Sequence, residues 1–255
     1  MLLVMLVVAI GAAIGLSLGM LGGGGSILTV PALVYVLDQD AHAAIATSLV
    51  IVGMNASMGA WMHARQGHVQ LRTALIFGGA GLVSAYVGAR LSRFLPGALL
   101  LVLFALLMIV VAALMLRGGR RVTTEQASAA VRWPRVLVGG AGVGFLTGFL
   151  GVGGGFLIVP ALVLLLGMDM HDAVGTSLVV IALNCAAGLL GHLSSSGLNW
   201  SLIGMLVVGG ILGIVSGAWL ARRMPTSGLR RAFALFVIVL GAGLLAANLP
   251  ALLVE

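Results

Sequence analysis

Two glycine runs in this chain have the makings of an anion-binding element. Leu21 to Pro31 reads LGGGGSILTVP, and Leu150 to Pro160 reads LGVGGGFLIVP. Glycine adopts turn conformations at little steric cost and lets other groups approach the main chain. A helix that starts after such a turn exposes unpaired N–H groups carrying roughly half a positive charge, which favours a bound anion. Gly23, Gly24, Gly25 and Ser26, with Gly153, Gly154 and Gly155, are therefore candidate substrate contacts; close helix packing is the structural alternative. A second polar set lies downstream of each run. Ser48, Asn55, Gly59 and His63 are spaced seven, four and four apart and share one helical stripe, and Ser177, Asn184, Gly188 and His192 copy it. An asparagine in mid-span must find hydrogen-bond partners, either as glue between helices or as part of a solute pathway, so Ser48, Asn55, Ser177 and Asn184 join the substrate candidates.

Four of the five histidines complete the chemical inventory. His42 and His171 sit beside acidic residues at segment starts, and His63 and His192 sit at segment ends. Boundary histidines are commonly just interfacial. No Asp, Glu, Lys or Arg occurs in the middle of any apolar segment, however, so a proton carried across must ride on one of these histidines or on the substrate itself. The same absence argues against catalysis: there is no HExxH, no GxSxG and no buried carboxylate pair, and a serine near an asparagine does not make a nucleophile and base. No metal spacing and no cofactor motif appear, and the single Cys185 excludes an intrachain disulfide.

The elements that must position these residues are repeated. Pro31 and Pro160 are 129 positions apart, and that offset also superimposes Gly15 on Gly144, His42 on His171, Thr47 and Ser48 on Thr176 and Ser177, Asn55 on Asn184, His63 on His192, Gly88 on Gly217 and Pro96 on Pro225 without a gap. The chain is one module used twice.

Composition fixes the solvent of that module. Of 255 residues 61% are hydrophobic and only 7% charged, with a mean hydropathy of +1.24; a soluble domain carries about 25% charged residues. The apolar runs match helices of about 20 residues crossing roughly 30 Å of hydrocarbon, and they lack the alternation of a membrane barrel. The expected class is an all-α integral membrane protein with eight to ten membrane segments. The net charge of +7 comes from arginines in connections and at segment ends, which suits orientation in the bilayer rather than nucleic-acid binding. The amino-terminal MLLVMLVVAI, with no basic leader, reads as a retained first helix.

Met1 to Leu21 is the first segment, followed by the glycines and by only twelve residues, Ser26 to Leu37, before Asp38 and Asp40. A helix of that length covers about 18 Å, too short to cross. Aspartates belong at the water boundary, which puts the glycine turn deep in the bilayer as the bend of a broken-helix hairpin; alternatively the glycines extend the second helix towards a tilted full span. Ala43–Ala64, Thr73–Ala89 and Gly97–Leu116 complete the first half. Val136–Leu150, Phe156–Leu166, Val174–Leu193, Ser201–Ala221 and Leu229–Leu249 form the second. The domains are thus a membrane repeat at 1–117, a polar cytoplasmic linker at 118–135 and a second repeat at 136–255. Five pieces per half require the halves to be inverted. Arginine bias agrees: Arg65 and Arg72 follow the third piece of the first half, whereas Arg222, Arg223, Arg230 and Arg231 precede the last piece of the second. With the linker cytoplasmic, both termini lie outside.

On GLSLGMLGGGGSILTVPAL and GFLTGFLGVGGGFLIVPALVLLLGM, each followed by a histidine and then a TSL stretch, the chain resembles the TauE/SafE family of membrane permeases, over nearly its whole length outside the linker. The resemblance implies movement of small sulfur-containing or organic anions such as sulfite or sulfonates across the inner membrane. Paired broken helices in inverted repeats are transporter architecture with a site between the repeats, where the two turns would face each other. The expected function is a secondary transporter, exporting a small anion, whose partners are that anion and the lipid; a passive anion pore or a nontransporting assembly partner are the alternatives.

Overall fold

The computed structural model of the chain describes residues 2–39, 41–92, 97–117, 133–150, 155–192 and 199–254. Their regular structure is helical throughout: α1 (Leu2–Leu21), α2 (Gly24–Pro31) with a π-helical turn at Ala32–Val36, α3 (Ala41–Arg65), α4 (Leu71–Ser92), α5 (Gly97–Leu116), α6 (Trp133–Leu150), α7 (Gly155–Leu164), α8 (Met170–His192), α9 (Trp200–Arg223) and α10 (Thr226–Val254). Five of these contain windows long and apolar enough to cross a membrane: Val4–Leu21, Leu71–Gly88, Met170–Ala187, Trp200–Arg223 and Thr226–Ala246. The protein is an all-α, multi-pass membrane protein. Most of the expected linker, 118–132, lies outside the described residues, and α6 begins at Trp133, three residues before the expected start.

The sequence repeat recurs in backbone detail. The broken helix of each half stops at a residue with positive φ, Asp38 (φ 50°) in the first and Gly167 (φ 68°) in the second. The following N–H reaches back to a carbonyl, Gln39 to Leu33 at 3.0 Å and Met168 to Leu162 at 3.1 Å. Every one of these positions is related to its counterpart by 129. A left-handed residue ends a helix by turning the chain away and satisfying its last carbonyls.

The chain forms two compact units that cut across the sequence halves: Met1–Leu75 with His171–Met224, and Ile76–Met170 with Pro225–Glu255. In the first unit α1 lies against α9 with backbone touching backbone. A Cβ placed on Gly11, Gly15 or Gly19 would meet the backbone of Leu206, Gly210 or Ile214 respectively, and one on Gly213 or Gly217 would meet Ala12 or Leu16. Numbers rise together, so the helices run parallel. In hydrocarbon, helices gain little from hiding apolar surface and associate through such close small-residue packing. α3 also runs parallel to α9, with Asn55 at Gly210 and Gly59 near Ile214. The helix ends bearing Arg65 and Arg222–Arg223 therefore share one face of this unit.

α8, the sequence copy of α3, runs the opposite way. Gly53 of α3 approaches Cys185 of α8, Gly59 approaches Leu178, and His63 approaches Gly175, each at 3.0 Å from an ideal Cβ. Position rises along α3 as it falls along α8.

The second unit repeats the glycine seam with the equivalent residues. A Cβ on Gly140 would meet Phe77, one on Gly144 would meet Gly81, and one on Gly88 would meet Phe145; shifted by 129, these are the Gly11, Gly15 and Gly217 contacts of the first unit. α5 and α10 pack beside this seam, Gly241 against Met108 and Ala105. Phe104 meets Phe156 of α7 edge to face at 5.1 Å. The glycine seam yields a direct prediction. Gly15→Ala forces a methyl into the Gly210 carbonyl and should cost about 2 kcal/mol or more; Gly79, with open space around it, should accept Ala with no loss or a gain of up to ~1 kcal/mol. Thermal unfolding of both variants in detergent checks this, and equal midpoints would refute the seam.

Candidate functional site

The glycine bend builds from the end of α1. Gly22 takes φ 77°, its N–H donating to the Leu18 carbonyl at 2.9 Å, and the Gly23 N–H donates to Leu21 at 3.0 Å. α2 then starts at Gly24 with no side chain capping it. Gly25 is buried against the Ile14 carbonyl and the Leu18 side chain, so the chain after the bend folds back along α1 as a hairpin. The hydroxyl of Ser26 donates to the Gly23 carbonyl at 2.8 Å and that of Thr29 to Gly25 at 2.9 Å. Ser26 thus spends its proton on the chain, and what the bend offers an anion is main-chain N–H. Met20 lies beside Gly217 of α9, and α9 continues to Arg223, so the bend at Gly22, two residues past Met20, is about 6 Å short of that helix end and closer to it than to the middle of α9.

The middle is occupied by Asn55. It is fully buried, and among the described residues neither its Nδ2 nor its Oδ1 has a hydrogen-bond partner. Its amide lies where a Cβ of Gly210 would be. Gly210 is consequently hemmed in from two sides, by Gly15 of α1 and by Asn55 of α3, and no larger residue fits. Asn184 of α8 is half-buried, and its Oδ1 is likewise without a partner. The antiparallel register that pairs Gly53 with Cys185 and Gly59 with Leu178 brings Asn55 and Asn184 to the same level of the crossing. Ser48 and Ser177 are buried on the same two helices, Ser177 donating to the Val174 carbonyl at 2.8 Å.

A third group gathers at the arginine-bearing end of this unit. His63 is buried, and neither ring nitrogen makes a well-formed hydrogen bond among the described residues. Below it in sequence, His68 Nδ1 donates to Asp172 Oδ1 at 2.8 Å, and the His68 and His171 rings lie 5.8 Å apart. His171 Nε2 donates to the Ala221 carbonyl at 3.2 Å. The Gln70 N–H donates to Thr176 Oγ1 at 3.1 Å, tying the loop after α3 to α8. At the outer rim Arg65 stacks on Trp61 at 4.0 Å and Arg223 on Trp219 at 3.8 Å, the arrangement of an interfacial belt.

Gly155 opens α7, buried, in the second unit, and Gly153 and Gly154 lie outside the described residues. His42 falls in the first turn of α3, and His192 is the last residue of α8. Sequence reasoning missed Asp172, Gln70 and Thr176, whose contacts bridge roughly a hundred positions, and it passed over Gly210, whose three-residue spacing from Gly213 was visible but had no evident partner.

A family model described as Sulfite exporter TauE/SafE matches residues 7–244. A probable membrane transporter protein of Xylella fastidiosa Temecula1 is 40% identical over 242 residues, covering 91% of this chain and 92% of the relative. Probable membrane transporter protein YdhB of Bacillus subtilis is 28% identical over 245 residues, covering 94% of this chain and 100% of its own length. YunE of the same organism, another probable membrane transporter protein, is 30% identical over 263 residues, with 94% and 96% covered. No solved structure matches the chain. Taken with the glycine bend and the helical, membrane-spanning fold, the match over residues 7–244 places this chain in the TauE/SafE sulfite exporter family of membrane transporters.

Proposed function

We propose that the protein is a secondary transporter for a small oxyanion of the sulfite or sulfonate type, exporting it across the inner membrane, and not an enzyme. The observation that carries this reading is the buried, unpartnered amide of Asn55. Leaving such a group unsatisfied costs about 1–3 kcal/mol, a cost that a bound solute removes. One carboxamide offers two N–H donors and one acceptor, which suits an oxyanion retaining a proton, such as hydrogensulfite. The N–H groups of Gly24, Gly25 and Ser26 at the start of α2 supply a second set of neutral donors nearer the arginine-bearing face. Neutral donors release an anion more readily than a fixed, buried cation would.

The opposite directions of α3 and α8, and the parallel course of α1 with α9, support inverted repeats. Under that reading the face with Arg65, Arg222 and Arg223 is cytoplasmic, the hairpin of α1 and α2 enters from outside, and Asn55 and Asn184 sit where the repeats cross. Rocking of one repeat against the other would expose the site to each side in turn.

Three outcomes are expected. In proteoliposomes offered sulfite, a sulfonate, sulfate and a carboxylate in turn, the wild type moves one or both of the first two and accumulates them against their gradient, which a passive pore would not. Asn55→Leu and Gly24→Leu lose at least about tenfold in flux, the factor that ~1.4 kcal/mol of hydrogen bonding represents, while still inserting in the membrane; undiminished flux in both would refute the site. A reporter active only outside the cytoplasm should be active when fused after Glu255 and silent when inserted within residues 118–132. The reverse pattern would overturn the orientation.

A further inference from the structure

His63, like Asn55, differs from several polar groups of the first unit that have partners. Ser17, Ser26, Thr29 and Ser177 satisfy themselves on their own helices, His68 holds Asp172, and His171 holds the Ala221 carbonyl. His63 has only 2% of its surface exposed and no well-formed hydrogen bond at either ring nitrogen among the described residues. α8 closes on it from one side, since a Cβ on Gly175 would stand 3.0 Å from the Cβ of His63. On another side its ring faces the main chain of Gly19, near enough for that backbone to accept from a proton-bearing ring nitrogen, one turn before the bend at Gly22. The titratable and charged groups that face it are His68 from the loop after α3, His171 of α8 and Arg222 of α9; α1 contributes only backbone there. All three are cationic or can become so. The carboxylate of Asp172 is engaged by His68.

A proton taken up by this imidazole therefore has no counter-charge among the described residues and adds to the positive field of Arg222. What would balance it is an anion at the bend, where the first-turn N–H groups of α2 also favour negative charge. We propose that His63 takes up a proton when the transported anion binds at the mouth formed by the glycine bend, so that the two enter as a neutral pair. The proposal rests on the anion-transport reading and deepens it by selecting one histidine of the four boundary candidates. Linkage makes the coupling reciprocal: the proton tightens anion binding by the same factor by which the anion tightens proton binding. It also removes the need for a carboxylate in the interior, because the substrate supplies the negative charge. An imidazole is suited to this because its unperturbed titration falls in the physiological range. Asn55 lies eight residues earlier on the same stripe of α3, about 12 Å deeper, as the next stop for the anion.

The test uses the full-length protein in nanodiscs and methanesulfonate, which stays a monoanion across the whole pH range, so that any proton taken up belongs to the protein. Titration calorimetry in two buffers of different ionisation enthalpy counts that proton. The wild type should bind several-fold more tightly at about pH 5.5 than at about pH 7.5, with close to one proton taken up per anion. His63→Gln should bind with the weaker affinity at both pH values and take up no proton, whereas His68→Gln keeps the pH dependence. His63→Asn replaces His63→Gln if the latter does not fold. The proposal is overturned if the pH dependence survives in the His63 variant, if the wild type binds without taking up a proton, or if the folded variant loses binding altogether. Wild-type protein that binds neither methanesulfonate nor sulfite at either pH would refute the anion site itself, whereas failure of the His63 outcomes alone leaves the transport reading intact.

Discussion

Backbone-to-backbone contact between glycine-bearing helices is the constraint on which the rest depends. Lipid offers little reward for hiding apolar side chains, so these helices hold together by approaching closely, and close approach requires that one side lack a Cβ. α9 shows the consequence most clearly. Its Gly210 accepts Gly15 from one flank and the Asn55 amide from the other. A single methyl there would separate three helices at once. The seam thus does two jobs, binding α1 to α9 and fixing a polar group at the middle of α9 where no described residue hydrogen-bonds to it.

The two units differ in a way the sequence repeat conceals. All the buried polar residues among those described, Ser17, Thr29, Thr47, Ser48, Asn55, His63, Thr73, Thr176 and Ser177, belong to the first unit. α3 and its copy α8 are both there, so the duplicated polar stripes meet each other instead of being shared out. Some counterparts are apolar: Leu146 stands where the first half has Ser17, and Ile158 where it has Thr29. Duplication supplied a symmetric scaffold, and substitution concentrated its polarity in one unit. Along α3 this gives a graded series, from the buried Ser48 through the unpartnered Asn55 to the imidazole at the arginine-bearing end, with the bend of the hairpin level with the last of these.

Much of this was legible in the chain. The helix Gly97–Leu116 ends where its flanking proline and arginine say it should, and the twelve residues between the glycines and Asp38 announced a helix too short to cross. The stripe of Ser48, Asn55 and His63 followed from helical spacing alone. Other features had no local signature. Spacing shows that Gly11, Gly15 and Gly19 make a thin face, but only the fold shows that α9 fills it. The register of the bend against α9 likewise has no signature in the local sequence. The Ser26 hydroxyl looked available and is taken by the carbonyl three residues back, a bond that Ser makes in any first turn that leaves one within reach. The pair of His68 and Asp172 joins residues separated by 104 positions, beyond the range of any sequence pattern.

The central claim is that α3 and α8 cross in opposite directions with their asparagines at the crossing. Cys185 is the sole cysteine, and a Cβ on Gly53 would stand 3.0 Å from its Cβ, close to the separation a disulfide needs. The most direct measurement is therefore mild oxidation of Gly53→Cys protein carrying a protease site within residues 118–132, followed by cleavage and non-reducing electrophoresis. The account predicts that the two halves stay joined until reduced, and that they separate when Cys185 is also changed to Ser. Halves that separate without reduction in the single-substituted protein would contradict it.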